Sequence, residues 1–218
     1  MIILVAAVAL AWPTMAAAAE RPILFVHGFS LGAPFSSVEF GLMHHRFEQA
    51  GWTDAELFGM DYNSTRSNID IARDVRRRVL AVSRESGERR ISVITHSMGG
   101  LPTRWCLKFY GACRHHVATW VSLAGPNHGT STAQLCAALQ PCRQMLPGSR
   151  FLGKLNAGDE TPGRVAYATW RSPCDHIIDP ESSVAVAGAV NNEPACVSHL
   201  AFVTDSEVFG QVERFVNR

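Results

Sequence analysis

The sequence carries almost no net charge. Its 20 lysines and arginines nearly balance its 19 aspartates and glutamates, which leaves a formal net charge of +1 at pH 7. A chain this close to neutral has no long-range field that would gather nucleic acid. The one basic cluster, Arg73 and residues 76–78, falls within a single predicted amphipathic helix and is typical of a solvated helix face. We therefore expect no nucleic-acid partner.

The sequence also lacks a C-x-x-C pair, although it contains six cysteines. This absence argues against a zinc ribbon and against a dithiol redox motif. The nine histidines form no convincing set with carboxylates at metal-ligand spacing, so we expect no cofactor and no metal in the functional site, with a structural metal as the alternative. An even number of cysteines is typical of an exported, oxidised protein. Pairing each cysteine with its neighbour along the chain predicts Cys106–Cys113, Cys136–Cys142 and Cys174–Cys196, among the many pairings that six cysteines allow.

Charged side chains are missing from the first nineteen residues. An apolar stretch from Ile2 to Trp12 is followed by small residues that end at Ala19, a pattern that predicts a secretory signal peptide over residues 1–19. No basic residue precedes the apolar stretch, which departs from the usual signal. The alternative is an uncleaved anchor, but the stretch is shorter than the roughly 20 residues that span a bilayer. We expect a secreted protein whose residues 20–218 form one domain.

Short apolar runs of β type alternate with longer amphipathic stretches after the leader. This alternation is typical of a parallel sheet with helices on both faces. Strands are predicted at residues 22–26, 56–60, 91–95, 117–123, 165–170 and 184–190. Helical spacing of apolar residues over 71–82 and 208–216 predicts two helices, the second capped by Asp205 or Ser206. Residues 131–163, rich in glycine and proline, are predicted to form an irregular insertion over the active-site face.

A buried strand at 91–95 leads directly into the sequence Thr-His-Ser-Met-Gly-Gly at 95–100. A serine at such a strand-to-helix junction is exposed above the sheet on a tight turn, which makes Ser97 the candidate nucleophile. Gly99 fits the common G-x-S-x-G pattern, whereas Thr95 replaces its first glycine. The alternative is an ordinary serine at a helix N-terminus.

The first predicted strand ends in His-Gly-Phe at 27–29. In this architecture the loop after that strand donates one backbone N–H to a developing oxyanion, and the residue after the nucleophile donates another. The predicted donors are the amides of Phe29 and Met98. His27 is interpreted as a structural histidine that bonds to loop backbone.

With these motifs in place, the chain resembles the α/β-hydrolase superfamily and, within it, the small secreted bacterial lipases. The resemblance rests on the segments at 27–29 and 95–100, on Leu-Ala-Gly-Pro-Asn-His-Gly-Thr at 123–130, and on the C-terminal acid and histidine segments. It implies an α/β-hydrolase fold without a large lid domain. It also implies the order nucleophile, acid, histidine along the chain.

The resemblance assigns the acid to Asp175, directly after the fifth predicted strand, with Asp179 as a rival. It assigns the histidine to His199, after the sixth. Among the other histidines, His96 is expected to point away from the turn, and His128 is a candidate for the wall of an acyl pocket.

The expected reaction is hydrolysis of carboxylic esters of fatty acids through an acyl-enzyme. Apolar residues near the predicted oxyanion loop, Phe29, Leu31 and Phe35, suit a fatty acyl chain and transient contact with a lipid interface. A thioesterase and a polyester hydrolase share this chemistry and remain alternatives. A hydrolase-fold binding protein without catalysis is a third.

Overall fold

The computed structural model describes residues 20–31 and 36–218. The predicted signal peptide and Phe35 lie outside the described residues. Within the described residues six strands form one sheet in the order β2-β1-β3-β4-β5-β6, and every neighbouring pair is parallel. The strands are β1 (Ile23–Val26), β2 (Leu57–Met60), β3 (Ile91–His96), β4 (Val117–Leu123), β5 (Ala166–Trp170) and β6 (Val190–Asn192). The predicted α/β-hydrolase fold is confirmed.

The middle of the sheet is buried on both faces. Every residue of β1 and β3 is buried, and successive side chains of a strand point to opposite faces. Leu24 and Val26 accordingly pack in one apolar cluster, whereas Ile23 and Phe25 pack in another. Continuous apolar runs in the sequence thus reflect a sheet covered on both sides.

Helices cover both faces. They are α1 (Ser36–Glu39), α2 (Gly41–Gln49), α3 (Asn68–Glu85), α4 (Gly100–Phe109), α5 (Gly111–His116), α6 (Gln140–Met145), α7 (Arg150–Asn156) and α8 (Ser206–Val216). The long helices α3 and α8 confirm both periodic stretches. The Asp205 carboxylate accepts hydrogen bonds from the amides of Glu207 and Val208, both at 2.9 Å, so it is the predicted cap of α8.

The prediction of the sixth strand at residues 184–190 is wrong. Val184 and Val186 are buried, but residues Glu181–Val184 form a 3₁₀ helix and the strand begins only at Val190. The side chain of Asn191 makes the two hydrogen bonds with the Val186 backbone that a neighbouring strand would otherwise make. Its Oδ1 accepts from the Val186 amide at 3.0 Å, and its Nδ2 donates to the Val186 carbonyl at 3.1 Å. Alternating burial therefore arose here from loop packing.

The segment 131–163 is less irregular than predicted. It contains a 3₁₀ helix, Ser131–Cys136, and the short helices α6 and α7. Bonding of Cys136 to Cys142 links the 3₁₀ helix to α6, and the other two predicted disulfides are also formed. Within the described parts of the chain these short elements build no separate lid domain, and no described helix is long and apolar enough to cross a membrane.

Candidate active site

Ser97 lies at the carboxyl end of β3, where the chain turns into a 3₁₀ helix, Ser97–Gly99, and then α4. Its φ of 51° falls in the left-handed region, which non-glycine residues rarely adopt and which is found at functional turns. A Cβ on Gly99 would lie 2.5 Å from the carbonyl oxygen of His27, so the turn requires glycine there. Thr95 fits because its buried hydroxyl donates to the Val121 carbonyl of β4 at 2.9 Å.

The structure brings Ser97, His199 and Asp175 together. His199 Nε2 lies 3.0 Å from Ser97 Oγ, and His199 Nδ1 lies 2.9 Å from Asp175 Oδ2. The other carboxylate oxygen of Asp175 accepts from the amides of Ile177 and Ile178 at 2.9 and 3.0 Å. These contacts fix the orientation of the carboxylate, and the carboxylate fixes the orientation of the imidazole.

The rival acid points elsewhere. The carboxylate of Asp179 accepts a hydrogen bond from the hydroxyl of Ser131, and its amide donates to Thr130 Oγ1 at 3.0 Å. Asp179 therefore holds the start of the 131–163 segment and is not in contact with His199.

Burial and hydrogen bonding act in opposite directions on both partners. Burial raises the pKa of Asp175, but hydrogen bonds from the His199 ring and from two backbone amides outweigh it and hold that pKa below 3.8. Burial lowers the pKa of His199, and the Asp175 hydrogen bond only partly opposes it, so the pKa lies below 6.5. At neutral pH the pair is therefore a carboxylate beside a neutral imidazole, which can accept a proton.

The segments that carry the acid and the histidine are tied together. Cys174 is bonded to Cys196, with the two Cα atoms 5.0 Å apart. Beside this bridge, the hydroxyl of Ser172 donates to the Ala195 carbonyl at 3.0 Å and accepts from the Val197 amide at 2.8 Å. Asp175 and His199 thus rest on one cross-linked unit although they belong to separate loops.

The two predicted oxyanion donors, Phe29 and Met98, belong to the two chain segments next to Ser97. A Cβ on Gly28 would lie 2.9 Å from Ser97 Cβ, so only glycine allows this loop to approach the serine so closely. The amide of Gly28 donates to Glu39 Oε1 at 3.0 Å, which leaves the next amide, that of Phe29, as the loop's candidate donor. Met98 lies within the 3₁₀ helix, Ser97–Gly99, that leads into α4, where the helix dipole favours negative charge. His27, as predicted, bonds to loop backbone, at Gly28 O and at the amide of Tyr62.

A cavity of about 360 Å³ opens over Ser97 and His199. Its wall is mostly apolar, and the residues that carry this character are Phe29, Ala133, Leu135, Met145, Ile177, Ile178 and Leu200. Its polar lining residues besides Ser97 and His199 are Glu39, His96, Thr130 and Thr132. Such a cavity can hold an apolar chain beside a polar reacting group.

Two of the sequence interpretations of histidines are wrong. His96 does not point away from the site: its ring packs 4.8 Å from the ring of His199, and its nitrogens contact Glu39 and the His199 carbonyl. His128 does not line the cavity; it pairs with Glu160 at 3.1 Å. Glu39 was missed altogether, because a single glutamate in a surface helix gives no motif in the sequence.

One group of side chains has the composition of a metal site. The ligand atoms of His44, Glu48 and Asp54 lie within 4.8 Å of one another, a grouping that sequence spacing did not indicate. All three are at least partly exposed, and Glu48 already pairs with His45 at 3.2 Å. The group lies outside the cavity that contains Ser97.

Comparison with known proteins gives a family and a fold. The family model "Lipase (class 2)" matches residues 20–192. A curated relative from Arabidopsis thaliana, lecithin-cholesterol acyltransferase-like 4, is 32% identical over 88 residues, which cover 38% of this chain and 16% of the relative. This chain thus spans a small part of that relative's length.

Solved lipase structures share the architecture. Lipase B of Aspergillus fumigatus superposes with a TM-score of 0.76 at 20% identity, over 87% of this chain and 50% of that one. A mature lipase of Bacillus licheniformis superposes equally well at 17% identity, over 92% of this chain and 93% of that one. At such identities the likeness establishes the fold, whereas the family model spans most of the sequence. The chain belongs to the class 2 lipase family.

Proposed function

We propose that this protein is a secreted serine hydrolase that cleaves carboxylic esters of fatty acids. The observation that carries the proposal is the continuous hydrogen-bonded line from Ser97 through His199 to Asp175, with distances of 3.0 and 2.9 Å. In a serine hydrolase the histidine must contact both the nucleophile and an orienting carboxylate. Membership in the lipase family and the apolar cavity wall support a fatty acyl substrate.

In the proposed mechanism, Ser97 Oγ attacks the ester carbonyl while His199 Nε2 takes its proton. The negative charge that forms on the carbonyl oxygen is stabilised by the amides of Phe29 and Met98. Collapse of this intermediate expels the alcohol, which receives the proton from His199 and leaves an acyl group on Ser97. Water then attacks the acyl-enzyme with the same proton transfers. Asp175 keeps the imidazole in the required tautomer and stabilises its charged form.

Residues 1–19 are proposed to be a signal peptide and residues 20–218 the catalytic domain. Three disulfides among the described residues support an oxidising destination outside the cytosol. The exposed rim of the cavity is proposed to contact lipid surfaces transiently.

Replacement of Ser97 by alanine tests the proposal. Since nucleophile, base and acid act as a unit, the variant should lose activity on the order of 10⁶-fold. The wild-type chain should also bind an active-site-directed phosphonate covalently at Ser97. Asp175→Asn should cripple turnover, and Asp179→Asn, which alters a carboxylate outside the site, serves as the matched control.

The substrate class is tested in the same assay. A series of fatty acyl esters of increasing length, with thioesters and a soluble polyester beside them, should show preference for the fatty acyl esters. Preference for thioesters or for the polyester would replace the substrate assignment. A Ser97→Ala variant that keeps half of the wild-type turnover would overturn the proposed mechanism through Ser97.

A further inference from the structure

Glu39 and His96 connect the two sides of the proposed active site. Glu39 Oε1 accepts from the amide of Gly28 at 3.0 Å, in the loop that carries the Phe29 amide. The same oxygen lies 2.8 Å from His96 Nδ1. His96 Nε2 in turn lies 2.9 Å from the carbonyl oxygen of His199. One carboxylate and one ring therefore link the oxyanion loop to the backbone of the proposed base.

The partners of His96 determine how many protons its ring needs. The carbonyl oxygen of His199 can only accept a hydrogen bond, and so can an ionised Glu39. Burial raises the pKa of Glu39, but the His96 contacts and the Gly28 amide outweigh it and hold the pKa below 4.5. A neutral imidazole has one N–H and would leave one of these contacts without a donor. Both contacts are satisfied when the buried ring carries an N–H on each nitrogen.

We propose that Glu39 and a doubly protonated His96 form a positioning pair, which fixes the oxyanion loop relative to His199 during the proposed ester hydrolysis. Neither residue takes part in bond making. The pair acts by holding the amide of Phe29 and the imidazole of His199 at a set separation around Ser97. The inference rests on the proposed function and adds two residues to its machinery.

The pair also acts on His199 through its charge. The groups that face the His199 ring are Asp175, Ser97 and His96, and His96 is the one whose positive charge opposes protonation of that ring. The nearby Glu39 carboxylate favours protonation, but less strongly than His96 disfavours it. Loss of the positive charge should therefore raise the pKa of His199.

Glu39→Gln tests the positioning role. Glutamine keeps the length of the side chain and can still accept from Gly28, but it removes the charge that holds His96. We expect kcat to fall about tenfold with little change in KM, because an oxyanion contact matters mainly in the transition state. Glu39→Ala removes both contacts and should cost on the order of a hundredfold. Glu48→Gln, which removes an exposed carboxylate that also pairs with a histidine, is the matched control and should keep wild-type kinetics.

His96→Asn tests the charge with a readout that a purely structural role would not move. The titration of His199, followed by NMR on the folded chain, should shift to higher pH, and the acid limb of kcat/KM should shift with it. If the two residues act as one unit, either substitution alone already disables it. The double variant Glu39→Gln, His96→Asn should therefore lose no more activity than the less active of the two single variants.

The two proposals fail in different ways. If Ser97→Ala is inactive while Glu39→Gln keeps kcat within twofold of wild type and His96→Asn leaves the His199 titration in place, the positioning pair is overturned and the hydrolase stands. If Ser97→Ala retains activity, the proposed mechanism falls, and the NMR titration of His199 still decides whether His96 carries the charge.

Discussion

His199 is the residue whose charge state decides whether the proposed reaction can begin. Only the neutral imidazole accepts the proton of Ser97, and burial lowers the pKa of His199 below 6.5. As the pH falls through that lowered pKa, activity should fall with it, so the midpoint of the acid limb of kcat/KM should lie below pH 6.5. Asp175, whose pKa is also lowered, remains ionised over this range.

The measurement is kcat/KM on a soluble short-chain ester, with circular dichroism recorded at each pH. A midpoint above 6.5 would contradict the effect of burial. A loss of rate that coincides with loss of structure would remove titration of the histidine as its cause.

Thr95 shows how a departure from a pattern can be compensated by a contact that the sequence does not reveal. Its hydroxyl donates across to β4 at the Val121 carbonyl, and the side chain is fully buried. Thr95→Gly would restore the common pattern. We nevertheless expect the free energy of unfolding to drop by about 2 kcal/mol, from a lost hydrogen bond, a lost buried methyl group and the flexibility of glycine in a strand.

Urea denaturation measures this difference. Thr95→Ser keeps the hydroxyl and is the matched control, which should be more stable than the glycine variant. A glycine variant as stable as wild type would show that the contact with Val121 contributes nothing.

Whether the role of a single residue could be predicted depended on how far apart in the sequence its interaction partners lie. Ser97 could be proposed as the nucleophile because the tight turn imposes small residues within the same short segment. The proposed roles of Glu39 and His96 could not be predicted, because they come from contacts with Gly28 and His199 across the fold. Local sequence contains no record of such a pairing.

At the scale of elements, the bridge between Cys174 and Cys196 joins the two loops that carry Asp175 and His199. It spans a sequence separation of 22, for which chain entropy predicts a contribution of about 3 kcal/mol to stability. The bridge should matter more for the reaction rate than for stability, because it positions Asp175 and His199. A misplacement of about 1 Å costs on the order of a hundredfold in rate. The double Cys174→Ala, Cys196→Ala variant should lose turnover at temperatures where it is still folded.

Removal of the bridge between Cys106 and Cys113, which joins α4 to α5 away from the cavity, is the control. Rates should be compared per folded molecule, with the folded fraction taken from circular dichroism. Equal rates for both double variants would mean that the bridge near the site only stabilises the fold.

Elements were predictable where one physical signal dominated. The spacing of apolar residues along α3 and α8 identified both helices, because each buries a single stripe against the sheet. The same kind of signal failed at 184–190, where Val184 and Val186 are buried by loop packing and the backbone is satisfied by Asn191. Burial periodicity reports which side chains face the core, and only indirectly how the backbone is bonded.

At the scale of the whole molecule, three of the exposed apolar side chains that the structure describes lie together on the wall of the cavity. Leu135, Leu200 and Ile177, all on its wall, are 92%, 74% and 49% exposed. Exposed apolar residues concentrated at one place mark contact surfaces. Leu135→Glu combined with Leu200→Glu should therefore reduce hydrolysis of emulsified long-chain esters several-fold while leaving hydrolysis of dissolved short-chain esters near wild type.

Vesicle or emulsion binding, measured by co-sedimentation, checks the same variant directly. Val38→Glu, which alters a residue 78% exposed that does not line the cavity, is the control. Equal loss on soluble and emulsified esters would mean that the leucines serve the cavity rather than a lipid surface.

The order of the site along the chain has a consequence for biosynthesis. Ser97 and the amides of Phe29 and Met98 belong to the first half of the sequence, whereas Asp175 and His199 follow β5, and α8 comes last. Arg21 closes the fold by donating to the Val216 carbonyl of α8 at 3.0 Å. A nascent chain that has left the ribosome only as far as α5 therefore contains Ser97 but neither Asp175 nor His199. Under the proposed mechanism such a chain has no base for Ser97, so we expect hydrolytic activity to arise only late in synthesis.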